Sequence, residues 1–153
     1  MKRPENIPLP PHAYVPGRNA RHEESLFEAF HASVQPWMSF AELEETLAWR
    51  AGWVFVQHGY FWEAHEVLEP VWMTLEDGPK RQFVQGVIQA ANAALKLKMN
   101  RPNAVRRLCD IADGHLDACG EVDAIMALPL SEVRRFVEET RGEANLIGGY
   151  YAL

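Results

Sequence analysis

From Arg21 onward, apolar residues recur at steps of three and four, and no stretch alternates with a period of two. That period belongs to helices sharing a core rather than to strands. The stretch "HEESLFEAFHASV" sets Leu26, Phe27 and Phe30 at helical spacing and stops before Pro36. Ser39 followed by Glu42 reads as a capping box that opens a helix over residues 40–58, with Leu43, Leu47, Ala51, Val54 and His58 on one face. Gly59 suits the left-handed position that ends it. A second helix is predicted over residues 60–75, where Phe61, Ala64, Leu68, Val71, Trp72 and Leu75 form a stripe about 100° wide. Trp72 lies within about 20° of the stripe centre on a 3.6-residue wheel and is expected in the core. Pro70 removes the donor that would reach the Glu66 carbonyl, which predicts a kink or a restart near Glu69.

After the turn "EDGP", residues 80–99 carry two apolar stripes, one through Phe83, Val87, Ala90 and Ala94 and one through Val84, Ile88, Ala91 and Leu95. A helix with two apolar faces belongs in the centre of a bundle. Its remaining strip is a row of amides, Gln85, Gln89 and Asn92. Pro102 opens another helix to about Cys119, with Gly120 as its stop, and Ser131 caps a last one to about Thr140 before the terminal "GGYYAL". The pattern predicts an all-α, single-domain bundle of five or six helices.

The N-terminal stretch departs from this pattern. Pro4, Pro8, Pro10, Pro11 and Pro16 fix φ repeatedly and remove donors, which favours an extended proline-rich arm over residues 1–20 in front of a bundle domain over 21–153. Tyr14, Val15 and the Pro16-Gly17 turn give that arm apolar groups with which to lie across the helices. At 153 residues, 48% hydrophobic and 24% charged, the chain has the material for one sizeable core. A net charge of -6 opposes binding to nucleic acid, and Arg106-Arg107 is too short a basic cluster to reverse that. No run approaches the roughly 18 apolar residues of a membrane span, and the N-terminus lacks the apolar core of a signal peptide. Cys109 and Cys119, about 15 Å apart on one helix, read as buried thiols in a reducing compartment, so a cytoplasmic protein is expected.

Candidate chemistry gathers in "GYFWEAHEVLEPVW", residues 59–72. On the wheel His65 and Glu69 flank the buried stripe as an i, i+4 pair, Trp62 and Glu66 lie farther round, and Glu63 faces away, toward the surface. Three readings stay open. His65, Glu66 and Glu69, with Gln85 or Gln89 from the central helix, could form a self-satisfied polar network that fixes helix packing. The same residues beside Trp62 could line a pocket for a small molecule or a protein partner. Alternatively, His65 and Glu69 would ligate a divalent metal, with Glu66 as general base of a hydrolase; the spacing resembles the zinc-protease HExxH pattern, but Glu69 replaces the second histidine and no third ligand is identified. The binding module is the favoured function, with the metal-dependent hydrolase as its alternative. The network reading places His65, Glu69 and one of the two glutamines in mutual contact.

Together with "RQFVQGVIQAANAALKLKMNRPNAVRRL", the opening stretch resembles an uncharacterised helical family known as domain of unknown function 309. The resemblance is strong over residues 55–110, and "AYVPG" is similar to the N-terminal lead of some longer members. It implies an all-α bundle and no particular activity. Carried over by position, the family pattern matches Gly59, Trp62, Glu63, His65, Glu66, Glu69, Trp72, Gln85, Gly86 and Gln89, and this chain departs from it at Pro70.

Overall fold

The computed structural model describes residues 6–152, with side chains described through residue 147; Pro4 and the side chains of the "GGYYAL" stretch lie outside these limits. A 3-10 turn at Glu24–Phe27 leads into α1 (Glu28–Ala32), followed by α2 (Phe40–Glu44), α3 (Leu47–Gln57), α4 (Phe61–Thr74), α5 (Pro79–Lys98), α6 (Pro102–Asp117) and α7 (Leu130–Ala152). The fold is all-α. Helices α3 to α7 are the five long ones, and α1 and α2 are single short turns of helix. The only departure among the described residues is a two-stranded hairpin, β1 (Ala124–Ile125) and β2 (Leu128–Pro129), antiparallel with Ala124 opposite Pro129.

The Ser39 cap holds, whereas Ser131, expected to cap the last helix, lies inside α7, which begins at Leu130. Ser39 accepts from the Glu42 amide and the Glu42 carboxylate accepts from the Ser39 amide at 3.0 Å, which keeps that carboxyl below its usual value. The helix predicted over residues 40–58 divides after Glu44, because Thr46 turns to extended backbone and caps α3 by accepting from the Trp49 amide. Gly59, at φ 85°, then reverses the chain into α4, with the Tyr60 amide closing back on the Phe55 carbonyl at 2.8 Å. At the other end of the chain α7 outruns the expected stop near Thr140.

Helix α5 is the centre of the bundle, packed against α4, α6 and α7, as its two apolar stripes require. Arg141 ties α7 to α6 by donating to Asp110 and Asp113 while also meeting Glu138 on its own helix. Arg106 turns inward to the Ala144 carbonyl at 3.3 Å, which separates it from Arg107. No described helix is long and apolar enough to cross a membrane.

Packing of α3 on α4 depends on Gly52. A Cβ there would sit 2.3 Å from Leu68 Cδ2 and 2.6 Å from Leu68 Cγ, well inside van der Waals contact, and Leu68 is fully buried. Gly52→Ala is therefore expected to push the two helices apart and to cost about 1–3 kcal/mol in chemical denaturation, despite alanine's better helix propensity. An unchanged or raised midpoint would show that the helices are not this close.

Two sequence expectations are corrected here. Trp72 is half-buried rather than core. It lies in the last turn of α4, where the chain reverses; it packs only partly against the core, and the Arg81 guanidinium lies over its ring at 4.0 Å. Pro70 does not restart the helix near Glu69, since α4 runs as one element from Phe61 to Thr74. The missing donor is replaced from outside. His31 Nε2 lies 3.0 Å from the Glu66 carbonyl, the very acceptor that Pro70 leaves open, and because a carbonyl can only accept, the proton sits on Nε2.

Candidate functional site

Helix α4 presents its outer face to the N-terminal segment, and this is where the polar side chains gather. Glu63 is the largest correction to the sequence reading: instead of facing solvent it is 0% exposed. The wheel placed it opposite the bundle stripe correctly, but residues 12–22 cover that side. The Tyr14 amide donates to Glu63 Oε2 at 2.7 Å, and His22 Nε2 lies 2.6 Å from the same oxygen, with the His22 side chain only 2% exposed. Glu63 Oε1 has no hydrogen-bond partner among the described residues, so two contacts to one oxygen carry the whole buried carboxylate.

An aromatic box surrounds that pair. Tyr14 meets Trp62 edge-on at 5.0 Å, His22 lies against His12 at 4.4 Å and edge-on to Phe27 at 5.9 Å, and Phe27 packs edge-on against Trp62 at 5.8 Å. The loop that delivers these groups is closed on itself. His12 Nε2 donates to the Ala20 carbonyl at 2.7 Å, and Asn19 takes the Val15 amide and gives its own to the Ala13 carbonyl, each at 2.9 Å. His12 and His22 are among the histidines that could supply a third metal ligand but stand in no ligand-spaced motif, so the sequence pattern did not tie them to Glu63, and Tyr14 counted only as an apolar group of the arm. The available signals were the apolar groups of the arm and the appearance of Glu63 among the positions of the family resemblance.

Beyond this box, α4 and the segment containing α1 enclose a groove of about 540 Å³ lined by His31, Val34, Pro36, Glu66, Glu69, Pro70, Met73 and Thr74. A second hollow of about 380 Å³ shares His31 and Glu66 with it and continues to Arg21, Glu24, Glu28 and Trp62. The His31–Glu66 bond, which repairs the proline gap in α4, thus forms the floor between the two. Val34, Pro70 and Met73 supply apolar wall, and Glu66 and Glu69 supply carboxylates. Met73 is 66% exposed, and Trp37, next to the wall residue Pro36, is 75% exposed.

The structure divides the six candidate ligand-binding residues. Trp62, Glu66 and Glu69 line the paired hollows. His65 lies beside them and meets Glu69 at 3.3 Å, with both side chains well exposed at 36% and 52%. Gln85 lines a separate small hollow of about 170 Å³ with Trp72, Arg81 and His115. Gln89 accepts from Asn92 at 3.5 Å, and no hydrogen bond joins either glutamine to His65 among the described residues. The described residues contain no group of three or more His, Cys, Asp or Glu placed to hold a metal ion. Cys109 and Cys119 are buried and free, and burial pushes the Cys109 thiol up to about 11 and raises that of Cys119, so neither offers a thiolate nucleophile at neutral pH.

Residues 49–108 match the model of the family described as Domain of unknown function (DUF309), which bears out the resemblance read from the two motifs. An uncharacterised protein of Aquifex aeolicus (strain VF5) is 30% identical over 88 residues, which make up 58% of this chain and 26% of that protein. The chain thus spans about a quarter of the length of the curated relative it matches. No solved structure matches it. The family match covers α3, α4, α5 and the start of α6, so it includes Glu63, Glu66 and Glu69 but not His22, His31 or the rest of the segment that closes over them.

Proposed function

We propose that this protein is a binding module whose ligand site is the groove between α4 and the segment containing α1. One observation carries the reading: Glu66 and Glu69 stand over an apolar wall of Val34, Pro70 and Met73 in a hollow of about 540 Å³, a size and lining that suit a small organic ligand or a side chain of a partner. The build of the hollow supports the same reading. A proline inside a helix and a histidine borrowed to satisfy the freed carbonyl are a costly way to make a plain surface. The result is a helix face where the Pro70 ring and the His31 imidazole replace ordinary exposed side chains. The hydrolase alternative asks for a third ligand beside His65 and Glu69, and the described side chains around that pair supply none.

Met73→Arg tests the reading without disturbing the core, because Met73 is mostly exposed. The long cation would lie over Glu66 and Glu69 and fill the groove. In a thermal-shift screen of small organic fragments, neutral, cationic and anionic, the wild type is expected to be stabilised by a subset that leaves Met73→Arg unmoved. By mass action, a fragment at about a hundred times its Kd stabilises by roughly 2.7 kcal/mol. If the same fragments shifted both proteins equally, the groove would not be where they bind.

A further inference from the structure

We infer that the natural occupant of this groove is a basic, amphipathic segment of a protein partner, an inference that rests on the binding-site reading above and specifies its ligand. Three features of the site argue for it. The first is shape. The two hollows share His31 and Glu66 and extend along α4 from Trp62 to Thr74, roughly 18 Å for twelve rises of about 1.5 Å. That is the length of about three helical turns or of about five to six extended residues.

The second is charge. Five carboxylates line the paired hollows, those of Glu23, Glu24, Glu28, Glu66 and Glu69, against one cation, Arg21, which lies over the Trp62 ring at 5.4 Å. A ligand entering here meets a one-sided negative field, which attracts Lys and Arg and repels acidic or phosphorylated groups. The chain's net charge of -6 adds to that field.

The third is the apolar wall. Val34, Pro36, Pro70 and Met73 run beside the carboxylates, and Trp37, next in sequence to Pro36, is exposed. An occupant therefore needs apolar side chains on one face and cations on another, the arrangement of an amphipathic helix seated in a groove. Methionine adapts to varied apolar partners, and an exposed tryptophan offers large contact area, so Met73 and Trp37 suit a peptide surface.

The test uses the full chain and three synthetic twelve-residue amphipathic peptides with the same leucine face and, on the other face, lysine and arginine, glutamine, or glutamate. Isothermal titration measures each peptide, and phenylethylammonium as a small cation, against wild type and the double variant Glu66→Gln, Glu69→Gln, whose fold is checked by circular dichroism. The basic peptide is expected to bind at least tenfold tighter than the glutamine version, to weaken as salt rises, and to lose most of that advantage in the double variant. Equal binding of the three peptides, or basic-peptide binding indifferent to the double variant, would overturn the inference. Phenylethylammonium binding as tightly as the peptide would also overturn it, in favour of a small amine. If fragments bind the groove and no peptide does, the partner is lost and the groove reading survives; if neither binds, both fall.

Discussion

His22→Ala is expected to destabilise the protein by about 3–5 kcal/mol, the cost of leaving a buried charge without its partner. Glu63 has no exposed surface, and His22 and the Tyr14 amide share its Oε2 while Oε1 has no partner among the described residues. Removing the imidazole leaves one amide to compensate a carboxylate that cannot reach water. For a chain of this size the loss corresponds to a fall in Tm of roughly 6–20 °C. The double variant His22→Ala, Glu63→Leu should recover much of it, since an apolar side chain in that box has nothing to satisfy, and the recovery measures the coupling between the two residues. Denaturant unfolding of wild type, the single variants and the double variant decides the matter. A His22→Ala cost within about 0.5 kcal/mol, that of an ordinary surface change, would mean that the pair does not exist in solution.

Trp49→Ala should be comparably severe, again about 3–5 kcal/mol, for a different reason. The ring is among the largest fully buried side chains, packs near Phe83 at a centroid distance of 6.2 Å, and donates from Nε1 to the Met126 carbonyl at 2.9 Å. Met126 and Ala127 form the turn between β1 and β2 with φ of 47° and 64°, a left-handed conformation that non-glycine residues adopt at a cost. The indole bond and the burial of Met126 hold that turn against the strain. Trp49→Phe separates the two roles: most of the packing stays, but the buried Met126 carbonyl loses its donor, at a cost of about 1–3 kcal/mol. Hydrogen exchange should then quicken at the Leu128 end of the hairpin while α4 and α5 keep their protection. Uniform loosening, or none, would show that the indole bond does not hold the turn.

The two pairs illustrate what the sequence makes legible. The helices of the bundle follow from periodicity, the start of α2 from a self-contained Ser39–Glu42 pair, and the central place of α5 from its two apolar faces. Each of these signals lies within about one helix. Glu63 escaped because a helical wheel sorts residues relative to one apolar stripe and assigns solvent to the opposite side, whereas here an aperiodic segment some forty residues upstream covers that side. The uninterrupted course of α4 through Pro70 was hidden for a similar reason, since the donor that meets the open Glu66 carbonyl is His31, 35 positions before Glu66. Trp72 had the right angle but sat at the end of its helix, where it packs only partly against the core and Arg81 lies over its ring. Of the candidate site, Trp62, Glu66 and Glu69 were found from local spacing, while its other wall, His31 and Val34, comes from a segment whose contacts with α4 are long in sequence.

The wall on α4 lies within the family match, and the wall around α1 lies outside it. The Glu63–His22 pair would serve the groove indirectly, by pinning the segment that supplies its far wall.

The most direct measurement is a titration of the methionine methyl groups by NMR. Of five methionines, Met73 lies in the groove and is exposed, whereas Met126 is buried beside Trp49 and serves as an internal reference. Protein carrying carbon-13 at the methionine methyls is titrated with the fragments that stabilise it thermally. The groove account predicts a saturable shift of the Met73 methyl with the same midpoint as the thermal effect, and a Met126 methyl that stays in place. Saturation of the thermal effect with the Met73 methyl unmoved would contradict it.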